Sequence, residues 1–279
     1  MTKQMQIDLA ENFQNMHKEK NILVLPNAWD AGSAVMFEKE GFNAIGTTSA
    51  GISYSLGYPD GECITFDDVL DTTKKIIRRI GVALSVDIER GYGENSEEIV
   101  NNVKQIINAG AVGINIEDGI LALKELVNKE EQSKLIYEIS KIKDTLGVNF
   151  VINARTDCFW LSTSNNKEEL LKQTIIRAND YIKAGADCVF VPGEFNENDI
   201  TLLVSQINGP INIIATPSIS STNELQKLGV SRVSTGSAPV RATYALIKNI
   251  SYELKNKGTF HNIYKTTIPY DKLNFILKD

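Results

Sequence analysis

The feature that most constrains the fold of this chain is the regular alternation of short apolar runs with longer amphipathic stretches. Apolar runs bounded by turn residues predict buried strands, and amphipathic stretches of helical period predict helices that pack around them. The predicted strands cover residues 22–26, 44–48, 83–88, 113–117, 150–155, 188–191, 211–215 and 232–234. The predicted helices cover residues 30–40, 67–80, 96–109, 129–146, 167–184, 197–207, 222–228 and 239–255.

The composition and number of the strands predict the architecture. Nearly all-apolar strands are typical of parallel strands that are buried on both faces. Eight strand–helix units favour a closed barrel over an open doubly wound sheet. Gly110, Gly185 and Gly229 end three of the helices in a position suited to a left-handed cap. We therefore predict an α/β protein, a single (β/α)8 TIM-barrel domain over residues 1–279.

The segment beyond the eighth predicted helix is too apolar for a solvated tail. Residues 256–279 include Tyr264, Tyr270, Leu273 and Phe275. We expect this extra C-terminal helical tail to pack on the barrel or on another subunit.

Charge and composition argue against several classes of function. The net charge is -6 and no Lys/Arg run forms a basic patch, so nucleic acid is not an expected partner. No apolar stretch approaches the roughly 18 residues of a membrane span, and residues 1–20 lack the apolar core of a signal peptide. The three cysteines have no disulfide or metal-type spacing, which favours a cytoplasmic location. His17 and His261 lie away from the predicted strand ends, so a histidine base or histidine-bound zinc is not expected.

Acidic residues follow two neighbouring predicted strands. Asp87 and Glu89 end the third strand, and they point to the same side if that segment is extended. Glu117 ends the fourth strand. Several carboxylates at one rim repel each other, and a hard divalent cation, Mg2+ or Mn2+, relieves that repulsion. The alternative is that these are solvated loop acids that cap the following helices.

Other strand ends carry groups suited to binding an anion. Arg155 ends the fifth strand and predicts either an anionic substrate or an ion pair with Asp157 or Glu117. The small residues of the 48–53 segment bring backbone N–H groups close to an oxyanion, or form an ordinary turn. Asp60, in the loop that follows, reaches over the site or caps a turn.

Five motifs in this order resemble those of the isocitrate lyase / phosphoenolpyruvate mutase superfamily, over about residues 20–250. They are Ser-Ala-Gly at 49–51, Leu-Gly-Tyr-Pro-Asp at 56–60, Asp-Ile-Glu-Arg-Gly-Tyr-Gly at 87–93, Ile-Glu-Asp at 116–118 and Ala-Arg-Thr-Asp at 154–157. Members cleave or form C–C or P–C bonds next to a 2-oxo carboxylate, through an enolate-like species held on Mg2+. They are commonly tetramers that swap a C-terminal helix, which implies a homo-oligomer here, a dimer or tetramer.

The resemblance also implies roles for individual residues. Asp87 resembles the direct metal ligand, and Glu89 and Glu117 resemble residues that hold the metal through waters. Arg155 resembles the arginine that binds the anionic end of the substrate, and Asp60 an aspartate over the site. The remaining implied substrate contacts are Thr48, Ser49, Ala50 and Thr216.

The chain departs from the lyases of this superfamily after Asp118. Those lyases carry a Lys-Lys-Cys-Gly-His loop or a similar one, whose cysteine is an acid/base. Here Gly-Ile-Leu-Ala-Leu-Lys-Glu-Leu at 119–126 contains neither cysteine nor histidine. We therefore expect decarboxylation or hydrolytic C–C cleavage of a small 2-oxo or 2-hydroxy carboxylate. Two alternatives stay open, namely P–C bond chemistry on phosphonopyruvate or phosphoenolpyruvate, and binding of a 2-oxo acid without turnover.

Overall fold

The strands form a closed parallel barrel in the computed structural model, which describes residues 1–161, 164–219 and 221–278. The barrel strands are β1 (Leu23–Leu25), β2 (Asn27–Ala28), β3 (Ala44–Thr47), β4 (Ala83–Asp87), β5 (Gly113–Glu117), β8 (Val151–Arg155), β9 (Cys188–Val191), β10 (Ile211–Ile214) and β11 (Arg232–Ser234). A two-stranded antiparallel hairpin of β6 (Gly119–Ile120) and β7 (Glu125–Leu126) follows β5.

The first predicted strand divides into β1 and β2, which pair with the two opposite ends of the sheet and so close it. β1 pairs with β11 and β2 pairs with β3, and only Pro26 separates β1 from β2. The order β1-β11-β10-β9-β8-β5-β4-β3-β2 therefore forms a ring. The predicted (β/α)8 barrel is confirmed, with each predicted strand within one or two residues of its observed bounds.

Most of the helices around the barrel begin after a residue whose side chain caps the first turn. The helices are α1 (Lys3–Met16), α2 (Ala31–Lys39), α3 (Ser49–Ser55), α4 (Phe66–Ile77), α5 (Ser96–Asn108), α6 (Lys129–Leu146), α7 (Lys167–Lys183), α8 (Glu197–Gln206), α9 (Thr222–Lys227), α10 (Ala238–Lys257), α11 (His261–Tyr264) and α12 (Tyr270–Ile276). Asp30, Thr65 and Asn196 form reciprocal capping boxes at α2, α4 and α8.

Helix α1 covers the N-terminal end of the barrel. The Gln6 amide donates to the carbonyl oxygens of Ile107 at 2.6 Å and Ala111 at 2.9 Å, just before β5. Phe13 packs fully buried against Gly113, where a side chain on the glycine would collide with the ring. The closed end leaves the C-terminal ends of the strands as the open face, where active sites of this fold lie.

The C-terminal part of the chain packs less closely than the barrel. Helix α10 buries only Val240 and Glu253. Glu253 accepts from the backbone N–H groups of His261 and Asn262, which turns α11 back against α10. α12 lies near α2, and residue 279 is outside the described residues. Whether the tail is swapped between subunits stays a prediction.

None of the helices in the described ranges combines the length and the apolarity needed to cross a membrane.

Candidate active site

A cavity of about 80 Å3 opens at the C-terminal ends of the strands and extends down into the barrel. Asp60, Asp87 and Arg155 line it, as do the three residues at the start of α3, namely Thr48, Ser49 and Ala50. The structure thus gathers most of the predicted site residues around one space. Glu89 and Glu117 lie beside it rather than on its wall.

Asp87, the last residue of β4, is held by neighbours on both sides. Its Oδ2 accepts from the backbone N–H of Ser49 at 3.0 Å, and its Oδ1 accepts from the Asn115 amide at 2.9 Å. Asn115 in turn accepts from the Asn153 amide at 2.9 Å. This chain of donors fixes the carboxylate toward the centre of the barrel mouth, as an outer shell does for a metal ligand.

The segment predicted as a loop after the second strand is the short helix α3. Thr48 caps it by accepting from the backbone N–H of Gly51 at 3.3 Å. A Cβ at Gly51 would come within 2.8 Å of Trp29, so only glycine allows this approach. The first turn of α3 lines the cavity, and its Ser49 backbone N–H donates to Asp87. Oxyanion binding by this segment stays a prediction.

Glu89 does not share a strand face with Asp87, so the prediction from an extended segment is wrong there. The strand ends at Asp87, and Glu89 has a φ of 48°, in the left-handed region. Its carboxylate turns toward the loop and accepts from the Glu62 backbone N–H at 2.7 Å and from the Tyr92 hydroxyl. A positive φ at a non-glycine residue costs free energy and is often found at functional sites.

Arg155 is paired with two carboxylates. Its Nε donates to Asp157 Oδ1 at 2.6 Å, and its Nη1 lies 2.9 Å from Glu117 Oε2. The guanidinium also lies 5.7 Å from the ring centres of Trp160 and Phe190. The ion-pair alternative for Arg155 is therefore present in the structure, and its contact with a substrate stays a prediction.

Burial shifts the titration of the rim carboxyls. Burial raises the pKa of Glu89 to about 7, against a hydrogen bond from Tyr92 that lowers it. Burial raises the pKa of Glu117 too; Arg155 opposes that rise and neighbouring carboxylates add to it. The pKa of Asp60 is raised by burial and then by the charge of Asp87. Without a cation, this crowded mouth thus favours the protonated form of these carboxyls.

Two buried oxygens in the rim lack a hydrogen-bond partner among the described residues. These are Asp60 Oδ1 and Glu117 Oε2, the latter close to Arg155 without hydrogen-bond geometry. Unsatisfied carboxylate oxygens in a repulsive cluster fit a hard divalent cation such as Mg2+ or Mn2+.

The structure does not show a direct three-carboxylate site. Within the ranges that the structure describes, no three His, Cys, Asp or Glu side chains group closely enough to hold a metal. Direct binding of a metal by Asp87, with Glu89 and Glu117 acting through waters, stays a prediction.

Thr216 lies outside the cavity. It follows β10, and its hydroxyl pairs with that of Ser218 at 2.7 Å. Its role as a substrate contact stays a prediction.

The segment 119–126 forms the β6–β7 hairpin beside the mouth. Leu121 packs over Gly61, whose φ is 98°, so the hairpin contacts the loop that carries Asp60. Asp118 anchors its base by accepting from Arg177 at 3.1 Å and from the Tyr181 hydroxyl at 2.6 Å. Arg177 also donates to the Val127 carbonyl at 3.0 Å. The hairpin is thus an ordered wall without a cysteine or histidine.

Several polar residues inside the barrel were not predicted. Each lies within an otherwise apolar strand and lines the cavity: Ser85, Asn115, Asn153, Asn212, Arg232 and Ser234. A signal for two of them was present, because Asn115 and Asn153 precede Glu117 and Arg155 by two residues and so share their face.

Comparison with known proteins identifies the family. The sequence profile of the family described as "Phosphoenolpyruvate phosphomutase" matches residues 13–255. The chain belongs to the isocitrate lyase/phosphoenolpyruvate mutase superfamily.

Similar proteins include ones with and without an assigned reaction. An uncharacterised protein of Mycobacterium tuberculosis is 36% identical, covering 83% of this chain and 84% of its own. The 2-methylisocitrate lyase of Halalkalibacterium halodurans is 30% identical, covering 91% of this chain and 84% of its own. A crystal structure from Burkholderia cenocepacia has a TM-score of 0.90 at 29% identity and covers 98% of this chain and 96% of its own. The superfamily comprises lyases and mutases, and this chain is an enzyme of that superfamily.

Proposed function

We propose that the protein is a Mg2+-dependent lyase-type enzyme that cleaves a C–C bond in a small 2-oxo or 2-hydroxy carboxylate, through an enolate-like intermediate. The observation that carries the proposal is one cavity lined by Asp87, Asp60, Arg155 and the start of α3, in a superfamily of lyases and mutases. Mn2+ has the same oxygen preference and is an alternative cofactor.

The rim carboxylates would bind the metal in two ways, directly and through waters. Asp87 would hold it directly, because its carboxylate is fixed by Ser49 and Asn115 and points into the mouth. Glu89 and Glu117 would hold it through waters. When bound, a divalent ion supplies Lewis-acid stabilisation of the negative charge that develops on the 2-oxo oxygen.

Arg155 and the start of α3 would bind the substrate. Glu117 and Asp157 hold the Arg155 guanidinium in place, and Trp160 shields one side of it. A substrate carboxylate would displace part of this pairing and take a bidentate contact. The backbone N–H of Ala50 would stabilise the developing oxyanion, whereas that of Ser49 already donates to Asp87.

Asp60 is the proposed acid/base. Its carboxyl lines the cavity, and burial raises its pKa, which brings it closer to proton exchange near neutral pH. The hairpin at 119–126 offers no cysteine or histidine for this role. Decarboxylation or hydrolytic cleavage is therefore favoured over the retro-aldol reaction of the cysteine-containing lyases.

A substrate screen with Mg2+ tests the proposal. Oxaloacetate, 2-oxoglutarate, 2-methylisocitrate, isocitrate and phosphonopyruvate are incubated with the wild type and with Asp87→Ala. The matched control is Asp71→Ala, an exposed carboxylate on α4. Metal-dependent release of CO2 or of two acids, lost only in Asp87→Ala, supports the proposal.

The same screen separates the alternatives. Phosphoenolpyruvate or phosphate formed from phosphonopyruvate would indicate P–C chemistry, which the description of the matching family favours. Thermal stabilisation by a 2-oxo acid without any product would indicate a binding protein, which the missing hairpin cysteine favours. Absence of both binding and turnover would contradict the assignment of the site.

We also infer a homo-oligomer, a dimer or tetramer, in the cytoplasm. Large apolar side chains are exposed along α10 and the tail, among them Ile247, Tyr252, Tyr264 and Phe275. Such a surface is typical of a subunit interface. The three free cysteines fit a reducing compartment.

A further inference from the structure

The barrel interior below the rim contains a second arginine, Arg232 of β11. Only 3% of its surface is exposed. Its Nε and Nη1 atoms have no hydrogen-bond partner among the described residues. Barrel interiors are normally filled by layers of Val, Ile and Leu, so a buried guanidinium with free donors is unusual.

Other unsatisfied polar atoms line the same cavity. The Asn212 Nδ2 donor and the Ser85 hydroxyl are buried without partners in the described part of the chain. Asn212 lies directly beside Arg232 in the strand register and uses its Oδ1 to accept from Ser234 at 3.2 Å. Arg232, Asn212 and Ser85 thus offer free donors to one cavity.

The charge of Arg232 is not compensated locally. The charge of Asp87 raises the pKa of Arg232, but that carboxylate is already held by Ser49 and Asn115 at the rim. Burial lowers the pKa of Arg232 to about 10. Below it, burial and the charge of Arg232 lower the pKa of His17 to about 3, and burial raises the pKa of Cys188 to about 12. Both groups are neutral at pH 7, so neither supplies a counter-charge.

We propose that this lower compartment, formed by Arg232, Asn212 and Ser85, binds a small anion of halide or monocarboxylate size. Ordered water satisfies hydrogen bonds but leaves the buried charge uncompensated, whereas an anion does both. The compartment is the lower end of the cavity whose upper part is the proposed substrate site, so we expect an ion of a few atoms there. The proposal does not depend on the proposed reaction, because the site needs neither the metal nor turnover.

Such an anion is either an inorganic ion or a small carboxylate ligand, and the dependence of thermal stability on each anion distinguishes the two. The protein is dialysed into gluconate buffer, whose larger anion we expect the lower compartment to exclude, and is titrated with sodium bromide or sodium formate at constant ionic strength. We expect a saturable rise in Tm of about 2–4 °C. Bromide alone indicates an inorganic anion, and formate, with or without bromide, indicates a carboxylate ligand.

Variants assign the effect to the compartment. Arg232→Met is expected to lose the saturable rise, and Arg78→Met, an exposed arginine that ends α4, is expected to keep it. Equal shifts in all three proteins, or no saturable shift in the wild type, would overturn the proposal.

Bromide soaked into wild-type crystals gives a second measurement that does not require the variant to fold. We expect an anomalous peak within contact distance of the Arg232 guanidinium. Peaks confined to the protein surface would show that only water fills the compartment and would contradict the inference.

Discussion

The barrel interior holds two arginines in opposite situations. Arg155, at the rim, pairs with Asp157 at 2.6 Å and lies 2.9 Å from Glu117. Arg232, lower in the barrel, has two nitrogen atoms without partners in the described ranges. The first arginine is one part of a crowded acidic cluster, and the second lies lower in the same cavity, where Asn212 is its neighbour in the strand register.

This difference shows that a buried arginine has a different role when it is paired than when it is unpaired. A paired arginine fixes the carboxylates around it, so its removal leaves buried negative charge behind. An unpaired buried arginine costs free energy unless a ligand compensates it, so it marks a place where a ligand is expected.

The largest effect is expected from removing the paired arginine. Arg155→Met leaves Glu117 and Asp157 without their counter-charge, which we expect to lower the free energy of unfolding by about 3–5 kcal/mol. Arg232→Met, in gluconate buffer without small anions, is expected to be neutral or stabilising because no charge loses a partner. Urea unfolding of both variants measures this, and equal destabilisation would remove the distinction between the two sites.

The next effect concerns the rim as a metal site. Asp87→Ala is expected to reduce kcat/KM of the active substrate by about 10²–10³-fold and to abolish stabilisation by Mg2+. Asp71→Ala provides the control for the loss of one carboxylate. Unchanged Mg2+ stabilisation in Asp87→Ala would show that the rim carboxylates do not share a cation.

A pH dependence is expected from the floor of the barrel. The pKa of His17 in the folded protein is about 3, below its ordinary value of 6.5, through burial and then the charge of Arg232. The neutral His17 therefore contributes its full share to the free energy of unfolding above pH 6.5. This share is lost as the pH falls toward 3, and the loss is about 2 kcal/mol at pH 5. Unfolding at pH 7 and pH 5 should show this loss in the wild type and less of it in His17→Asn. His261→Asn, at the exposed histidine, should behave like the wild type.

The smallest effect is expected at Asp118, a buried carboxylate with several hydrogen-bond donors. Tyr181→Phe removes one hydrogen bond to Asp118, which keeps Arg177 and the backbone N–H of Asp157. We expect a loss of about 1–2 kcal/mol in the free energy of unfolding. A loss as large as that of Arg155→Met would mean that Asp118 depends on the tyrosine alone.

The elements that the sequence predicted well are those with a strong local signal. Helix α6 begins and ends at the predicted residues, because Asn128 caps its start and Gly147 takes a left-handed conformation at its end. α3 was missed because seven residues, most of them small, carry no helical period, and the cap at Thr48 becomes clear only in the structure. The β6–β7 hairpin is equally short and contains an unusual positive φ at Lys124.

Part of the site was predictable and part was not. The motifs around Asp87, Glu117 and Arg155 identified the superfamily and the rim, because residue types at strand ends are local information. The orientation of Glu89 was not predictable, since its left-handed φ follows from contacts with Glu62 and Tyr92 across two loops.

The strand–helix repeat, the closed barrel and the acidic residues at the strand ends follow from the sequence alone, because apolar periodicity, caps and strand-end residues are properties of neighbouring positions. The partners of the buried charges follow only from the three-dimensional arrangement of the strands. Asn212 and Arg232 are separated in sequence but adjacent across two strands, and Ser85 faces the same cavity from a third. Pairing depends on distances across the barrel, and those are set only when the strands close into a ring.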